Sequence, residues 1–265
     1  MSTKLDLYYN KFNEEKRLNS RHGQVEYRVS MHYIHRFLKP GDRILDVGAA
    51  TGRYSIPLFE EGYDVTALEP VQHNLGRLKA KKPELPAYKG DARKLKRFQD
   101  ESFDLVLLFG PMYHLISRED KLQALKEAKR VTRKDGVILS AYVMNEYSIL
   151  TYGFREQHIL EILQNNRVDS SWRVRPDAED LYDYVRLEDI NSLNEDAGLE
   201  RVCIFSPDGP ANHMRRELNR LTEEEFGAFV SYQLSVAERP ELLGAGGHLV
   251  DVVRKQSSRN DSREQ

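Results

Sequence analysis

The sequence predicts an α/β fold: a seven-stranded, mostly parallel sheet covered by helices on both faces. Three observations carry that prediction. Apolar runs such as RILDV, DVTALEP, FDLVLLF and VILSAYV read as buried strands. Segments with helical spacing lie between them. Gly, Pro and Asp punctuate the junctions. With 40% hydrophobic residues in a chain of 265, there is enough apolar matter for one sizeable core with insertions.

The elements follow in order. The first forty residues read as helical, and in HGQVEYRVSMHYIHRFL an apolar face recurs every four positions at Val25, Val29, Tyr33 and Phe37. The turn KPGD leads into the first strand, RILDV, then a small-residue loop and a helix near Arg53–Glu61. DVTALEP is the second strand, and a helix from Val71 to Lys81 ends before Pro83. A short third strand runs into KGDA, and FDLVLLF is the fourth. Ser117 and Asp120 have the spacing of a capping box, which opens a helix to about Val131. Lys134-Asp135-Gly136 turns the chain into the fifth strand, VILSAYV.

An aromatic-rich insertion follows over about 145–185, with a helix expected near Phe154–Gln164. LEDINSLNEDAG reads as a helix ending at Gly198, and LERVCIF as the sixth strand. A second insertion, about 207–247, holds two helices, one opened by the capping-box form at Thr222–Glu225. HLVDVVRK is the last strand. The whole reads as one domain over 1–253, with a helical cap over about 1–39, two lid insertions, and a disordered tail over 254–265.

The charge balance argues against a nucleic-acid partner without excluding a local basic patch. The chain carries 40 basic and 42 acidic residues, net −2, and so lacks the basic excess of a protein that lives on nucleic-acid phosphates. A small-molecule partner is expected instead. One cysteine, Cys203, rules out an internal disulfide and fits a reducing, cytoplasmic setting. Its place in RVCIF reads as a structural thiol. No secretory signal is visible at the N-terminus. No apolar run reaches the roughly 18 residues of a membrane span. His32 and His35 sit near Arg28 on one helix face, without the further ligands a metal site needs, and no metal is expected.

The loop ILDVGAATGRYS carries the strongest chemical signal. Small residues between a buried strand and a helix let a ligand approach the backbone, with the helix N-terminus aimed at it. A dinucleotide fits poorly. Arg53 stands where the third glycine of G-x-G-x-x-G would let helix and strand pack closely, and Asp46 would repel a pyrophosphate. The same carboxylate suits a ligand with an ammonium and a sulfonium, which describes S-adenosylmethionine.

Here the sequence resembles the class I S-adenosylmethionine-dependent methyltransferases, whose first motif is acid-x-G-x-G-x-G. Asp46, Gly48, Ala50 and Gly52 occupy those positions, with Ala50 replacing the middle glycine. The resemblance covers about residues 40–145 well and 186–254 loosely. It implies a Rossmann-like sheet and S-adenosylmethionine as cofactor. It also implies that Glu69, about 20 residues after Gly48 at the end of the second strand, accepts both ribose hydroxyls. Asp91 then accepts from the adenine amino group, and the Ala92 N–H faces a ring nitrogen. Three carboxylates at three successive strand ends fit the rule that ligands bind at the carboxyl ends of open α/β sheets.

The fourth strand ends in FGPMYHL. Phe109 and Gly110 are expected beside the methyl donor, and Tyr113 and His114 to face the acceptor, as general base or as orienting groups. Methyltransferases of planar amines often carry [Asn/Asp]-Pro-Pro-[Tyr/Phe] there. Gly110 has no side chain to accept from an amine, so an oxygen, sulfur or carbon centre is the expected acceptor. The lesser candidates are Arg28, for pairing with the methionyl carboxylate, Tyr8 and Tyr9, for lining the lid, and the segment Trp172–Arg175, for contacting an anionic or aromatic acceptor. The rival functions are an RNA or protein methyltransferase, which calls for a basic groove, and a non-catalytic S-adenosylmethionine-binding module.

Overall fold

The computed structural model describes residues 20–177, 179–244 and 246–256. Tyr8, Tyr9, the first half of the expected helical cap and residues 257–265 lie outside the described residues.

The seven expected strands form one sheet. They are β1 (Arg43–Val47), β2 (Asp64–Glu69), β3 (Ala87–Lys89), β4 (Phe103–Leu108), β5 (Thr132–Val143), β6 (Leu199–Phe205) and β7 (His248–Lys255). Their order across the sheet is β3-β2-β1-β4-β5-β7-β6. The first five are parallel, and β7 runs antiparallel to both β5 and β6. The order reverses beside β1, between β1 and β4, which opens a crevice at the carboxyl ends of those two strands.

The helices are α1 (Arg21–Arg36), α2 (Ser55–Glu60), α3 (Gln72–Lys81), α4 (Pro111–His114), α5 (Arg118–Val131), α6 (Asn145–Ser148), α7 (Ile159–Gln164), α8 (Leu187–Ala197), α9 (Arg215–Leu218) and α10 (Glu223–Val236). Alternate strand residues serve the two faces, as the two-residue period of a strand requires. Ile44, Leu105 and Leu107 pack with α1, α2 and α3, through side chains such as Val29, Leu58 and Leu78. Leu45, Val106 and Leu108 pack the other way, with Leu125 of α5 and Leu193 of α8. Both cores are closed to water, so the runs read as continuous apolar sequence. The second insertion joins the first of these cores, where Phe226 and Val230 of α10 are buried with α1.

The caps behave as their sequences direct. Ser117 accepts from the Asp120 N–H, and Thr222 and Glu225 form a reciprocal capping box. Gly198 takes the left-handed conformation that ends α8.

Three expectations are corrected. Lys134-Asp135-Gly136 is not a turn ahead of β5 but an irregularity inside it. Phe103 pairs with Thr132 and Leu105 with Val137, so Arg133–Gly136 bulge out opposite Asp104. The helix expected over Phe154–Gln164 is two pieces. A π-helical stretch, Ile149–Arg155, comes first, and the positive φ of Gln157 separates it from α7. Arg254 and Lys255, expected in the tail, are paired in β7.

Candidate active site

A cavity of about 950 Å³ lies at the carboxyl ends of the parallel strands. That is near the top of the roughly 300–1,000 Å³ typical of small-molecule sites, with room for two ligands side by side. Asp46, Gly48, Ala50, Glu69, Asp91, Ala92, Phe109, Gly110, Tyr113 and His114 all line it, so ten of the eleven residues singled out in the sequence meet in one place. Gly52 stands behind the loop instead. Its φ of +91° and a built Cβ 2.7 Å from Ile56 Cδ1 give it a backbone role.

The loop after β1 is shaped by its neighbours. The N–H groups of Gly48 and Ala49 both donate to the Leu68 carbonyl, at 2.7 and 3.1 Å. Gly48 has φ +80°, and a Cβ there would lie 2.8 Å from Pro111 Cδ. Only glycine lets this loop and the β4–α4 junction approach so closely. Ala50, at the middle-glycine position, is itself left-handed, with φ 48°. Its N–H donates to Glu69 Oε2 at 2.9 Å, which holds the strained residue in place. Arg53, which argued against a dinucleotide, turns toward α1, where its guanidinium carbon lies 3.9 Å from the centre of the Tyr27 ring.

Two of the three carboxylates are buried without a basic partner among the described residues. Asp46 is 1% exposed and accepts from the Ser55 hydroxyl. Burial pushes its carboxyl up to about 6. Glu69 accepts from the N–H groups of Ala50 and Val71, each at 2.9 Å. Burial raises it further, to about 7, against those hydrogen bonds. A cationic ligand in the cavity would favour the charged forms of both. Asp91 differs. Burial works against its charge, but Arg93 grips both its oxygens and holds it below the usual carboxylate range. Arg93 also reaches Asp120 at 2.8 Å, so the residue expected to meet adenine is one of three in an ion network.

The other half of the cavity is aromatic. The Phe109 ring meets Tyr54 edge-on at 4.9 Å. The His114 ring lies 4.8 Å from Tyr113 and 5.0 Å from Tyr182 of the first insertion. His114 Nδ1–H donates to the Leu181 carbonyl at 2.9 Å, and burial lowers the imidazole to about 4. It is therefore neutral at pH 7. Pro176 and Pro207 bring one residue from each insertion to the wall.

Lesser candidates fall elsewhere. Arg28 stacks on Phe226, 5.1 Å from the ring centre, and α1 instead sends Glu26 and Ser30 to the cavity. Arg173 pairs with Asp189 and Glu188. His35 bonds to Glu61, and no metal-ligand cluster occurs among the described residues. Cys203 is half-buried in β6, with its thiol pushed up by burial to about 11, which suits a structural thiol. No helix among the described residues is long and apolar enough to cross a membrane. Sequence reasoning missed His248 and Asp208. The signal was indirect: an antiparallel last strand starts, rather than ends, at the cavity.

Comparison with known proteins agrees with this geometry. The family described as a methyltransferase domain matches residues 45–140. A demethylmenaquinone methyltransferase of Lysinibacillus sphaericus is 30% identical over 195 residues, covering 68% of this chain and 79% of that protein. Another demethylmenaquinone methyltransferase, from Renibacterium salmoninarum, is 38% identical over 117 residues, 43% of this chain and 45% of that one. The chain thus spans a little under half the length of some curated relatives it matches. Among solved structures, an S-adenosylmethionine-dependent methyltransferase of Archaeoglobus fulgidus superposes with a TM-score of 0.59 at 20% identity, over 94% of this chain and 100% of that one.

Proposed function

The chain belongs to the class I S-adenosylmethionine-dependent methyltransferases, and from that premise we propose that it methylates a small-molecule acceptor at an oxygen, sulfur or carbon centre. The observation that carries this is the single cavity with two chemistries: buried carboxylates at one end and aromatic rings at the other.

In this reading Asp46 faces the ammonium and sulfonium end of the cofactor, Glu69 its ribose, and Asp91 with the Ala92 N–H its adenine. The Gly48–Gly52 loop lets the ligand lie against backbone. When bound, the cofactor would supply an electrophilic methyl group. Gly110 leaves space beside that methyl. The chain's contribution is then placement and exclusion of water. Tyr113 and His114 wall the acceptor. His114, neutral and tied to a backbone carbonyl, orients the acceptor rather than storing its proton. The two insertions close the site, through Tyr182 and Pro176 from one and Pro207 from the other.

Charge supports a small acceptor over RNA. The cavity wall mixes Arg53, Lys89, Arg93 and Arg118 with Glu26, Asp46, Glu69, Asp91 and Asp120, which is no basic groove. The aromatic wall suits a flat ring, and the relatives named above act on demethylmenaquinone, a quinone.

Calorimetry tests the reading. S-adenosylmethionine or S-adenosylhomocysteine should bind the purified chain, and Glu69→Ala should weaken binding by about 1–3 kcal/mol, the range for loss of hydrogen bonds to a charged acceptor. No binding at millimolar ligand would refute the function. Unchanged affinity in the variant would remove Glu69 from the site.

A further inference from the structure

The cavity holds a second histidine. His248 is the first residue of β7, paired in register with Val143 of β5. Because β7 runs antiparallel, this first residue lies at the carboxyl ends of the parallel strands. Its ring lines the cavity, 6.4 Å from the Tyr113 ring centre, with the side chain 16% exposed.

Behind it sits Asp208, from the loop after β6, with its side chain wholly buried. Asp208 Oδ2 accepts from His248 Nδ1–H at 2.9 Å and from Asn212 Nδ2 at 2.8 Å. Its Oδ1 accepts from the His248 backbone N–H at 3.2 Å. The preceding glycines make this enclosure possible. A Cβ on Gly246 would lie 2.9 Å from Oδ1, and one on Gly247 2.7 Å from Oδ2. A buried carboxylate with three donors fixes the imidazole tautomer: Nδ1 carries the hydrogen, and Nε2 keeps the lone pair. The same carboxylate stabilises the imidazolium that forms when Nε2 takes a proton. His114 instead directs its Nδ1–H to a neutral carbonyl.

We propose that His248 is the general base, that Asp208 is its positioning residue, and that the acceptor is an aromatic hydroxyl. This rests on the methyltransferase reading above. The hydroxyl follows from what needs a base. A thiol ionises near pH 8.5 unaided, and a neutral amine already offers a lone pair. A phenol, which loses its proton near pH 10 as tyrosine does, stays protonated at neutral pH. The aromatic ring follows from the rings of Phe109, Tyr113 and His114 in the wall. In the step, His248 Nε2 takes the proton of the acceptor O–H. The pair left on oxygen forms the O–CH3 bond as the S–CH3 pair stays on sulfur, and His248 returns the proton to solvent. Titratable or charged groups near His248 include Asp208, Tyr113, Tyr147 beside Gly247, His213, whose ring lies 5.8 Å from that of Tyr147, and Arg215, which bonds to Tyr147 and Asn212.

The test uses two phenols with S-adenosylmethionine at pH 8, with release of S-adenosylhomocysteine as the readout. 1-Naphthol is still protonated at that pH, and 4-nitrophenol is largely ionised. The wild type should methylate 1-naphthol on oxygen. His248→Ala should lose about 100-fold or more in kcat on 1-naphthol, the usual scale of a general base, and far less on 4-nitrophenol. Asp208→Asn should move the acid limb of the 1-naphthol pH–rate profile to lower pH, because the imidazolium loses its anionic partner. A merely structural carboxylate would not move it. Calorimetry with S-adenosylmethionine, repeated on His248→Gln, checks that the variants fold. Equal losses on both phenols, no loss on either, methylation on carbon, or no turnover of 1-naphthol would each overturn the proposal. The methyltransferase reading fails separately, if the cofactor does not bind the wild type.

Discussion

Replacing Asp46 with asparagine should make the ligand-free protein more stable and a worse cofactor binder. Asp46 is buried and bonded to Ser55, and burial pushes its carboxyl from 3.8 to about 6. A carboxyl with a raised native value binds its proton more tightly folded than unfolded. Its stability contribution is therefore full below about pH 3.8 and is lost as pH rises through about 6. The difference amounts to about 3 kcal/mol at pH 8. Asparagine keeps an oxygen for Ser55 and carries no charge. Asp46→Asn should then be more stable than wild type by about 3 kcal/mol at pH 8, and by about half as much at pH 5. Relief of Glu69, whose raised value owes a smaller part to Asp46, acts in the same direction. Urea unfolding of the apo chain, followed by circular dichroism from pH 5 to 8, measures this. Calorimetry on the same samples should show weaker S-adenosylmethionine binding, since a carboxylate facing a cationic ligand is gone. Parallel stability curves for the two proteins, or a variant less stable at pH 8, would refute the reasoning.

Two other outcomes are expected. Ala50→Gly should raise stability by about 1 kcal/mol, because a left-handed alanine costs roughly 1–2 kcal/mol that glycine avoids, less its extra freedom when unfolded; a lower urea midpoint would contradict the strained loop. His114, pushed down to about 4 by burial, should show no protonation of its ring above pH 5 by NMR, and the native state should lose stability as pH falls from 6.5 toward 4. Titration near 6.5 would show that the ring is not buried as described.

Much of this site is legible in the sequence. Buried strands announce themselves because a sheet covered on both faces must be apolar throughout, and short polar or small-residue stretches must follow where ligands or solvent enter. Asp46, Glu69 and Asp91 stand out because each follows or ends such a run. Failures came where distant chain decides local form. Lys134-Asp135-Gly136 has turn chemistry, yet pairing with β4 on both sides keeps it inside β5. The ion pair of Asp91 with Arg93, which also holds Asp120, was likewise not read from the sequence, because Asp120 comes from a helix 27 residues further on from Arg93.

The sequence by itself determined the order of strands and helices, the small-residue loop after β1, and the acidic residues at the strand ends beside it, because those follow from local pattern and spacing. The tertiary structure decided which carboxylates lose their water, since burial depends on what the rest of the chain lays over them. It also decided the direction of β7. A strand's sequence reads alike whichever way it runs, and only sheet pairing carries His248 to the wall facing Tyr113, with Asp208 of the loop after β6 buried behind it.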